Sequence, residues 1–322
     1  MEYINCPLCG KDRNKFLFKA MDYRLETSGD IFIVVKCLCC GMVYVNPRPS
    51  DTELPLFYPK EYYNFFVCGD TLLSGSKKIC DKKFKMIRKN TGRLLEVGCG
   101  TGIFSYYMKQ KGWEVVAVDN SGIVADVFNI GILRGRFRDL SLKEDYYDVA
   151  VLWASLEHIV DPKYFLSRLN RVLAHGGQLL ISVPNFNSIS CRFMRFDDVP
   201  RHITMFTKST ITRMLEDAGF VVKRVYFNSD ISEASSRGLL EVFIKILLGH
   251  DKDKIFANIY SRDVAAAAKN RSLLQKIRHV GIFWSFVKAV DIPVSYIVDR
   301  LSMLLGFYGI MIIDVEKNGP AV

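Results

Sequence analysis

The sequence predicts an α/β fold, in which a doubly wound and largely parallel sheet of seven strands is covered by helices. Three observations lead to this prediction. From residue 91 short apolar runs alternate with helical patterns, which is typical of a parallel sheet with helices on both faces. A glycine-rich turn at 98–102 follows one buried strand and opens a helix. An extended apolar segment at 309–318 supplies the last strand.

The apolar patterns also place the individual elements. Buried or alternating runs predict strands at 93–99, 114–120, near 132–137, and at 147–154, 177–185, 221–227 and 309–318. Helical spacing predicts helices at 102–112, from 121 through Phe128, at 161–177 and at 209–220. The helix at 161–177 has Pro162 in its first turn and Gly176 at its end, which fits capping preferences and places His175 at a helix C-terminus.

Three regions of the chain differ in composition. Residues 1–50 hold paired cysteines among short extended segments, and we predict a small separate module there. Residues 51–90 form a Pro- and Tyr-rich linker followed by a basic N-terminal helix. Residues 91–322 form the sheet domain, which is interrupted at 236–305 by an apolar helical insert.

Composition limits the class of protein and of partner. With 322 residues, of which 49% are hydrophobic and 24% charged, the chain has the composition of a soluble globular protein. Its 44 basic and 34 acidic residues give a net charge of +10, which suits nucleic acid, a phosphorylated small molecule or a membrane surface. We see no secretory signal and no apolar run long enough to span a bilayer, so we expect a cytoplasmic protein.

The turn after the first predicted strand of the sheet domain carries the strongest ligand signal. Glu96, Gly98, Gly100 and Gly102 give the spacing E-x-G-x-G-x-G. Glycines let a ligand approach the backbone, and the helix N-terminus directs amides toward a negative group. A dinucleotide fingerprint would need glycine in place of Ile103, and no Lys-Ser/Thr pair follows for a triphosphate. The alternative is an ordinary strand–helix turn.

Asp119 ends the next predicted strand, about 20 residues after the glycine turn, where an acid holds a ribose diol in sheets of this kind. An ionised carboxylate has two acceptor oxygens, so this one side chain can serve both ribose hydroxyls. A helix N-cap is the alternative role for Asp119.

Several segments resemble one enzyme family. The glycine turn resembles the first motif of class I S-adenosylmethionine-dependent methyltransferases, and YYDVAVLWASLEHIVDP and LNRVLAHGGQLLISVPN resemble the fourth and fifth motifs. With PRHITMFTKSTITRMLEDAGF, they most resemble a small-molecule branch often found with genes for cell-surface polysaccharides and natural products. The resemblance implies a Rossmann-like methyltransferase fold with an antiparallel seventh strand. It also implies S-adenosylmethionine as cofactor, held by the glycine turn and Asp119, with adenine near Arg136 and Phe137.

Methyl transfer to a hydroxyl or carbon needs a general base, and histidine is the common choice near neutral pH. His202 matches the histidine of the family's substrate lid, and His158 follows the fourth strand at the ligand crevice. We rank His202 above His158; a histidine hydrogen-bonded within a loop is the alternative for both. Quinone-pathway relatives hold a metal with Glu-x-x-Glu-His, but Ala154 replaces the first Glu here, so we expect no catalytic metal. Tyr62 and Tyr63 match aromatics that relatives close over the cofactor, and a role in the core is the alternative.

Two Cys-x-x-Cys pairs mark the N-terminal module. Cys6, Cys9, Cys37 and Cys40 have the spacing of a tetrahedral zinc site, which would be structural because four thiolates leave no open position. Such a zinc-ribbon-like site would fix a module too small for its own core. Cys39 is a competing ligand, and iron is an alternative to zinc.

Together these features predict an S-adenosylmethionine-dependent methyltransferase whose acceptor is a small molecule, most simply a sugar, a lipid-linked glycan or a natural-product precursor. One alternative is an RNA methyltransferase that uses the zinc module and the basic run Lys77–Lys89. Another is a protein that binds the cofactor without catalysis. The apolar insert either rests on a membrane surface or hydrophobic substrate, or packs on itself or a second subunit.

Overall fold

The computed structural model describes residues 1–60, 62, 71–122, 126–194, 198–228, 231, 235–251, 254–255 and 282–318. Its strands, in chain order, are β1 (Asn14–Ala20), β2 (Phe32–Cys37), β3 (Val43–Val45), β4 (Arg93–Val97), β5 (Glu114–Asp119), β6 (Leu133–Arg134), β7 (Tyr147–Trp153), β8 (Leu173–Pro184), β9 (Thr204–Met205), β10 (Phe220–Tyr226) and β11 (Ile310–Lys317). Its helices are α1 (Thr71–Phe84), α2 (Ile103–Gln110), α3 (Pro162–Val172), α4 (Ile189–Met194), α5 (Lys208–Asp217), α6 (Leu239–Leu247) and α7 (Ile282–Leu305). Single 3-10 turns cover Leu54–Phe57, Phe137–Asp139 and Leu156–His158.

A seven-stranded sheet in the order β10-β11-β8-β7-β4-β5-β6 forms the centre of the fold. The strands from β4 to β8 pair in parallel, whereas β11 pairs antiparallel with both β8 and β10. The predicted α/β class and the antiparallel last strand are therefore confirmed. Chain order reverses between β4 and β7, and in such sheets the ligand crevice lies beyond the carboxyl ends of the strands at this point.

Alternate residues of the central strands pack into two cores, one on each face of the sheet. Leu95 of β4 and Leu152 of β7 belong to the larger cluster. Leu94 and Val151, their neighbours along the same strands, belong to a second cluster with Trp113. Because successive side chains of a strand point to opposite faces, both faces of the sheet are covered, as the apolar runs predicted.

The predicted helix at 161–177 is wrong at its C-terminal end. Helix α3 stops at Val172, and Leu173 adopts extended backbone angles and pairs with Tyr147 of β7. The segment that contains His175 and Gly176 is an irregularity in β8, across which the register with β7 shifts. His175 therefore lies in a strand, because pairing with β7 outweighs the capping pattern of the sequence.

The helix predicted to run through Phe128 is also absent from the described part of that segment, since residues 126–130 form a turn. The Asp126 carboxylate accepts hydrogen bonds from the amides of Ile130, Gly131 and Ile132 and so closes this turn. The strand expected near 132–137 is limited to the two residues of β6. Residues 123–125 lie outside the described residues.

The N-terminal strands form a second sheet that the rest of the chain completes. Its order is β1-β2-β3-β9, and all three pairings are antiparallel. Strand β9 lies much later in the sequence than β1, β2 and β3. Phe32 and Val34 of β2 pack in one cluster with Val199 and Met205. The cysteine-bearing segment is thus held against the loop that carries His202.

Helices α6 and α7 lie within the predicted insert at 236–305 and pack against each other. Residues 256–281 of that insert lie outside the described residues. None of the helices in the described part of the chain combines the length and apolarity needed to cross a bilayer.

Candidate functional site

In the glycine turn between β4 and α2, the first and last glycines pack against side chains, whereas the middle glycine faces open space. Gly98, Gly100 and Gly102 all have positive φ angles, of 74°, 54° and 75°, which non-glycine residues rarely adopt. A Cβ at Gly98 would lie 2.2 Å from Oγ of Ser155, and one at Gly102 would lie 2.3 Å from Cδ1 of Ile130. A Cβ at Gly100 would meet nothing within 4 Å. The turn therefore presents a bare backbone to open space at Gly100.

Asp119 faces this turn from the end of β5. Its Oδ2 accepts the Gly100 amide at 2.8 Å, and its Oδ1 accepts the Ser121 amide at 2.8 Å. Burial raises the pKa of Asp119, and the two amides oppose that shift. Each oxygen retains further acceptor capacity, so the side chain can organise the turn and still accept from a diol.

Glu96 lies beneath the turn and is buried. Ser105 of α2 donates a hydrogen bond to its Oε2. Burial raises the pKa of Glu96 to about 7, although nearby Lys83 and Ser105 act in the opposite direction. The Lys83 ammonium lies 4.8 Å from the ring centre of Trp153 and 5.5 Å from that of Phe104, which is cation–π distance. The Lys83 side chain of the basic helix α1 is therefore directed toward these aromatic rings and not toward solvent.

Phe137, predicted to lie beside adenine, begins the 3-10 turn after β6 and is buried in the main core. Its ring centre is 4.6 Å from that of Phe165 of α3, and the Arg168 guanidinium lies 5.5 Å from its face. The structure thus places Phe137 in packing contact with α3, and its role toward a ligand stays a prediction.

His158 and His202 come together at the carboxyl edge of the sheet, with ring centres 4.8 Å apart. His158 follows Ser155, the residue that closes the glycine turn at Gly98. Nδ1 of His158 lies 3.1 Å from the Arg201 carbonyl and 2.8 Å from the Tyr58 hydroxyl. Because a carbonyl only accepts, this contact favours a proton on Nδ1 and leaves Nε2 with a lone pair.

Glu157 completes this cluster, and sequence reasoning did not assign it a role. Its side chain is buried, its Oε1 lies 3.9 Å from Nε2 of His202, and neither carboxylate oxygen has a hydrogen-bond partner in another described residue. The carboxylate and His202 border a cavity of about 10 Å³, room for about one water-sized group. The unpartnered hydroxyl of Thr204 borders it as well. The ligand-capable atoms of Glu157, His158 and His202 lie within 4.8 Å of one another, a spacing that could hold a metal ion.

The loop that carries His202 is fixed by a buried ion network around Arg201. The Arg201 guanidinium binds both oxygens of Asp22, at 2.9 and 2.6 Å, and Oδ1 of Asp198, at 2.7 Å from Nη2. These charges hold the pKa values of both aspartates below their usual range despite burial. Arg24 adds a second contact to Asp198 at 3.1 Å. Because Asp22 belongs to the N-terminal region, the network ties that region to the histidine loop.

Tyr62 stands beside this network, with the guanidinium groups of Arg24 and Arg201 5.7 and 6.0 Å from its ring centre. Tyr63, its predicted companion, lies outside the described residues. The place of His158 could be inferred from the sequence, because it follows the end of a predicted strand. The ion pair of Asp22 with Arg201 could not be inferred, because the two residues are 179 positions apart.

The four predicted cysteines converge on one point. Sγ of Cys6 lies 3.4 Å from that of Cys40, and Sγ of Cys9 lies 3.6 Å from that of Cys37. Sulfurs around tetrahedral zinc at about 2.3 Å would be about 3.8 Å apart, so the donor set fits the ion. Burial raises the pKa of the Cys6 thiol and raises that of Cys40 to about 11, whereas amides of Cys40 and Cys39 lower the pKa of the Cys37 thiol to about 7 despite its burial. The exposed Cys39 is not part of the four-sulfur group.

Zinc content provides a test of this site. We expect the purified protein to contain one zinc ion per chain by elemental analysis, and Cys9→Ser to reduce that content to less than about one tenth. Cys39→Ser is the matched control, because its side chain is exposed, and it should keep the metal. Iron in place of zinc, or equal zinc in both variants, would contradict this prediction.

The pH dependence of stability provides a test of Glu157. Burial raises its pKa to about 8, so the folded protein keeps a proton that the unfolded chain loses near pH 4.5. The free energy of unfolding therefore falls as the pH rises from about 4.5 to about 8. Burial lowers the pKa of His158 to about 4 and of His202 to about 3, so these residues reduce stability only below about pH 6.5.

As the pH rises from 6.5 to 8, we therefore expect loss of the Glu157 proton to lower the free energy of unfolding by about 1–2 kcal/mol. Urea titration should show that Glu157→Gln flattens this decline, apart from a smaller part due to Glu96. An equal slope in both proteins would contradict the placement of Glu157. Both titrations are made with a chelator present, because a divalent cation bound by the cluster would keep Glu157 ionised and remove the slope from the unmodified protein.

Residues 75–225 match the protein family described as "Methyltransferase domain". The chain is 29% identical over 165 residues to a probable S-adenosylmethionine-dependent methyltransferase of Mycolicibacterium smegmatis, across 48% of this chain and 63% of the relative. It is 28% identical over 151 residues to a ubiquinone biosynthesis O-methyltransferase of Aeromonas salmonicida, across 41% of this chain and 63% of the relative. The chain thus spans less than two thirds of the length of these relatives.

Among solved structures, one similar chain is an S-adenosylmethionine-dependent methyltransferase from Archaeoglobus fulgidus, with a TM-score of 0.47 and 18% identity. That likeness covers 77% of this chain and 100% of the other. Another belongs to the complex between the Haloferax volcanii Trm112 methyltransferase activator and a putative methyltransferase. Its TM-score is 0.48 at 12% identity, over 78% of this chain and 93% of the other.

Proposed function

We propose that this protein is a class I S-adenosylmethionine-dependent methyltransferase, which transfers a methyl group from S-adenosylmethionine to a small molecule. The match of residues 75–225 to a methyltransferase domain supports this proposal. The acceptor in this proposal is a sugar, a lipid-linked glycan or a natural-product precursor, methylated at oxygen or carbon. The observation that supports it most is the glycine turn, open at Gly100 and faced by Asp119 at the switch point of the sheet.

The residues of the turn fit S-adenosylmethionine by the chemistry they offer. Gly98, Gly100 and Gly102 leave the backbone accessible, and Asp119 accepts from the ribose hydroxyls. Glu96 supports the turn from below through Ser105. Phe137 is the proposed neighbour of adenine, which would require the ligand to reach the edge of the Phe137–Phe165 contact. The bound sulfonium supplies an activated methyl group, so the protein's task is positioning and water exclusion.

His202 and His158 are the proposed bases. Both lie beside the switch point. Burial keeps both imidazoles neutral at physiological pH, the form that accepts a proton, and the same lowered pKa values reduce their strength as bases. His202 borders the small cavity shared with Glu157 and Thr204, where an acceptor hydroxyl or a water would be held. His158 is positioned by the Arg201 carbonyl and Tyr58.

The zinc-ribbon-like module at 1–50 has a structural role in this proposal. A Zn²⁺ ion held by Cys6, Cys9, Cys37 and Cys40 would fix β2 and its knuckle, and through the β3–β9 pairing it would support the loop of His202. Residues 51–90 connect it to the catalytic domain at 91–322.

We place the enzyme in the cytoplasm, with peripheral contact to the inner face of the membrane through the insert at 236–305. Nucleic acid is a less suitable acceptor, because three of the seven basic residues at 77–89 contact other residues of the fold. Lys83 is turned onto Trp153, Arg88 pairs with Glu316, and Lys89 pairs with Asp148 at 2.8 Å.

Cofactor binding tests the assignment of the turn. We expect calorimetry to show S-adenosylmethionine binding to the unmodified protein and about 10- to 100-fold weaker binding to Asp119→Ala, since two ribose hydrogen bonds to a charged group are lost. Asp126→Ala is the matched control and should leave the affinity for S-adenosylmethionine unchanged. Its carboxylate also closes a turn, through three amide contacts, but this is a neighbouring turn and not the glycine turn. Unchanged affinity in Asp119→Ala, or no binding to the unmodified protein, would overturn the assignment.

A further inference from the structure

An inward-facing lysine lies close to the glycine turn and has no role in the function proposed so far. Nζ of Lys83 lies 4.8 Å from the ring centre of Trp153 and 5.5 Å from that of Phe104. We call these three side chains the Lys83 cluster. Within the described part of the chain, the ammonium forms no hydrogen bond and no ion pair, and the buried indole Nε1 of Trp153 has no hydrogen-bond partner either. Two donors of the cluster therefore lack an acceptor among the described residues.

Glu96 does not neutralise the charge of the cluster. Its Oε2 accepts a hydrogen bond from Ser105, and it lies near Lys83 without forming an ion pair with it among the described residues. Burial raises the pKa of Glu96 to about 7, so much of this side chain is protonated and uncharged near neutral pH. Burial also lowers the pKa of Lys83. A desolvated ammonium without a counter-ion is unfavourable, so the cluster suits a ligand that brings a negative charge.

The Lys83 cluster borders the glycine turn on the side opposite to Asp119. Trp153 ends β7 and lies two residues before Ser155, whose side chain packs against Gly98. Strands β7 and β5 lie on opposite sides of β4, so the ends of these two strands are about 10 Å apart, or two strand spacings. A ligand whose sugar meets Asp119 at the end of β5 can therefore extend across β4 to the Lys83 cluster.

We propose that Lys83 binds the carboxylate in the methionine half of S-adenosylmethionine. This assignment rests on the proposed function and deepens it, because it names the residue that recognises the anionic end of the cofactor. A carboxylate has two acceptor oxygens and forms strong hydrogen bonds with an ammonium. Lys83 is only partly buried, so its ammonium can be reached by a ligand bound over the turn.

A packing role alone explains the position of Lys83 less well. A methionine or leucine would fill the space beside Trp153 and Phe104 without removing a charge from water. The adenosine half of the cofactor carries no negative charge that could pair with the ammonium. Within the proposed ligand, the carboxylate is therefore the group that complements the cluster.

Calorimetry with two ligands tests the proposal. S-adenosylmethionine and its decarboxylated form share the adenosine, the sulfonium and the amine, and they differ in the carboxylate. We expect the unmodified protein to bind the decarboxylated form about 10- to 100-fold more weakly than S-adenosylmethionine. Lys83→Met should lose this preference, because its affinity for S-adenosylmethionine falls while its affinity for the decarboxylated form stays within about twofold. Lys78→Met is the matched control: it removes an exposed lysine of the same helix and should keep the full preference.

Equal affinity of the unmodified protein for the two ligands would overturn the assignment, and so would a preference that Lys83→Met keeps. If Lys83→Met does not fold, Lys83→Leu takes its place with the same expected result. Binding of S-adenosylmethionine without any preference for the carboxylate would refute the role of Lys83 and leave the proposed function standing. No binding of either ligand would refute the proposed function and this assignment together.

Discussion

His202→Ala is expected to lower kcat about 100- to 10,000-fold while the affinity for S-adenosylmethionine stays within about twofold. The reason is that the imidazole would take a proton from the acceptor and would touch no part of the cofactor turn. Among the described residues, the other histidine beside Glu157 and the small cavity is His158, whose ring centre lies 4.8 Å from that of His202. The measurement is single-turnover methyl transfer at saturating cofactor.

Two further variants make this result specific. His175→Ala is the matched control, since His175 is exposed in the irregular part of β8, and it should keep full activity. His158→Ala separates the two candidate bases. A large loss in His158→Ala with little loss in His202→Ala would transfer the role, whereas activity retained in both would contradict base catalysis by this pair.

The pH profile adds an independent readout. Burial lowers the pKa values of His158 and His202 to about 4 and about 3. Because the neutral imidazole is the competent base, the rate should not decline through protonation of either residue between pH 8 and about 5. A fall in rate with a midpoint near pH 6.5 would show that the base is solvated and that the buried arrangement is not the active one.

Arg201→Ala is expected to destabilise the fold by about 3–5 kcal/mol, because it removes the buried guanidinium that pairs with the carboxylates of Asp22 and Asp198. Urea unfolding of the complete chain measures this loss. Arg24→Ala is the matched control; its side chain is partly exposed and forms its ion pair with Asp198 at 3.1 Å, so about 0–1 kcal/mol is expected.

If Arg201→Ala does not fold, Arg201→Lys keeps the charge but loses the paired contacts to Asp22, and an intermediate loss is expected. Both aspartates have lowered pKa values in the folded protein, so the stability that the network contributes is present above their unfolded pKa values and is lost as pH falls below them. Equal stability of the Arg201 and Arg24 variants would contradict the network's importance.

The sequence predicted features whose parts are close along the chain. Glu96, the three glycines and Asp119 lie within one strand–helix–strand unit, and each Cys-x-x-Cys pair forms a local turn that ends in a positive-φ glycine. Such local units adopt similar structures in different proteins, so the spacing of their residues is enough to predict them.

Features that depend on the tertiary fold were missed. Asp22 and Arg201 are 179 positions apart, and Glu157 lies 45 positions before His202, so their contacts appear only once β9 joins the N-terminal sheet. The end of α3 was misplaced because Leu173 gains a strand partner in β7 that capping residues do not reveal.

Methyl transfer from labelled S-adenosylmethionine to separate fractions of lipid-linked saccharide, nucleotide sugar and RNA tests both the activity and the acceptor class. We expect label in a saccharide-bearing fraction, lost in His202→Ala and retained in His175→Ala. Label in RNA alone would contradict the proposed acceptor class. Label in no fraction, with the cofactor bound, would leave a cofactor-binding protein without the proposed activity.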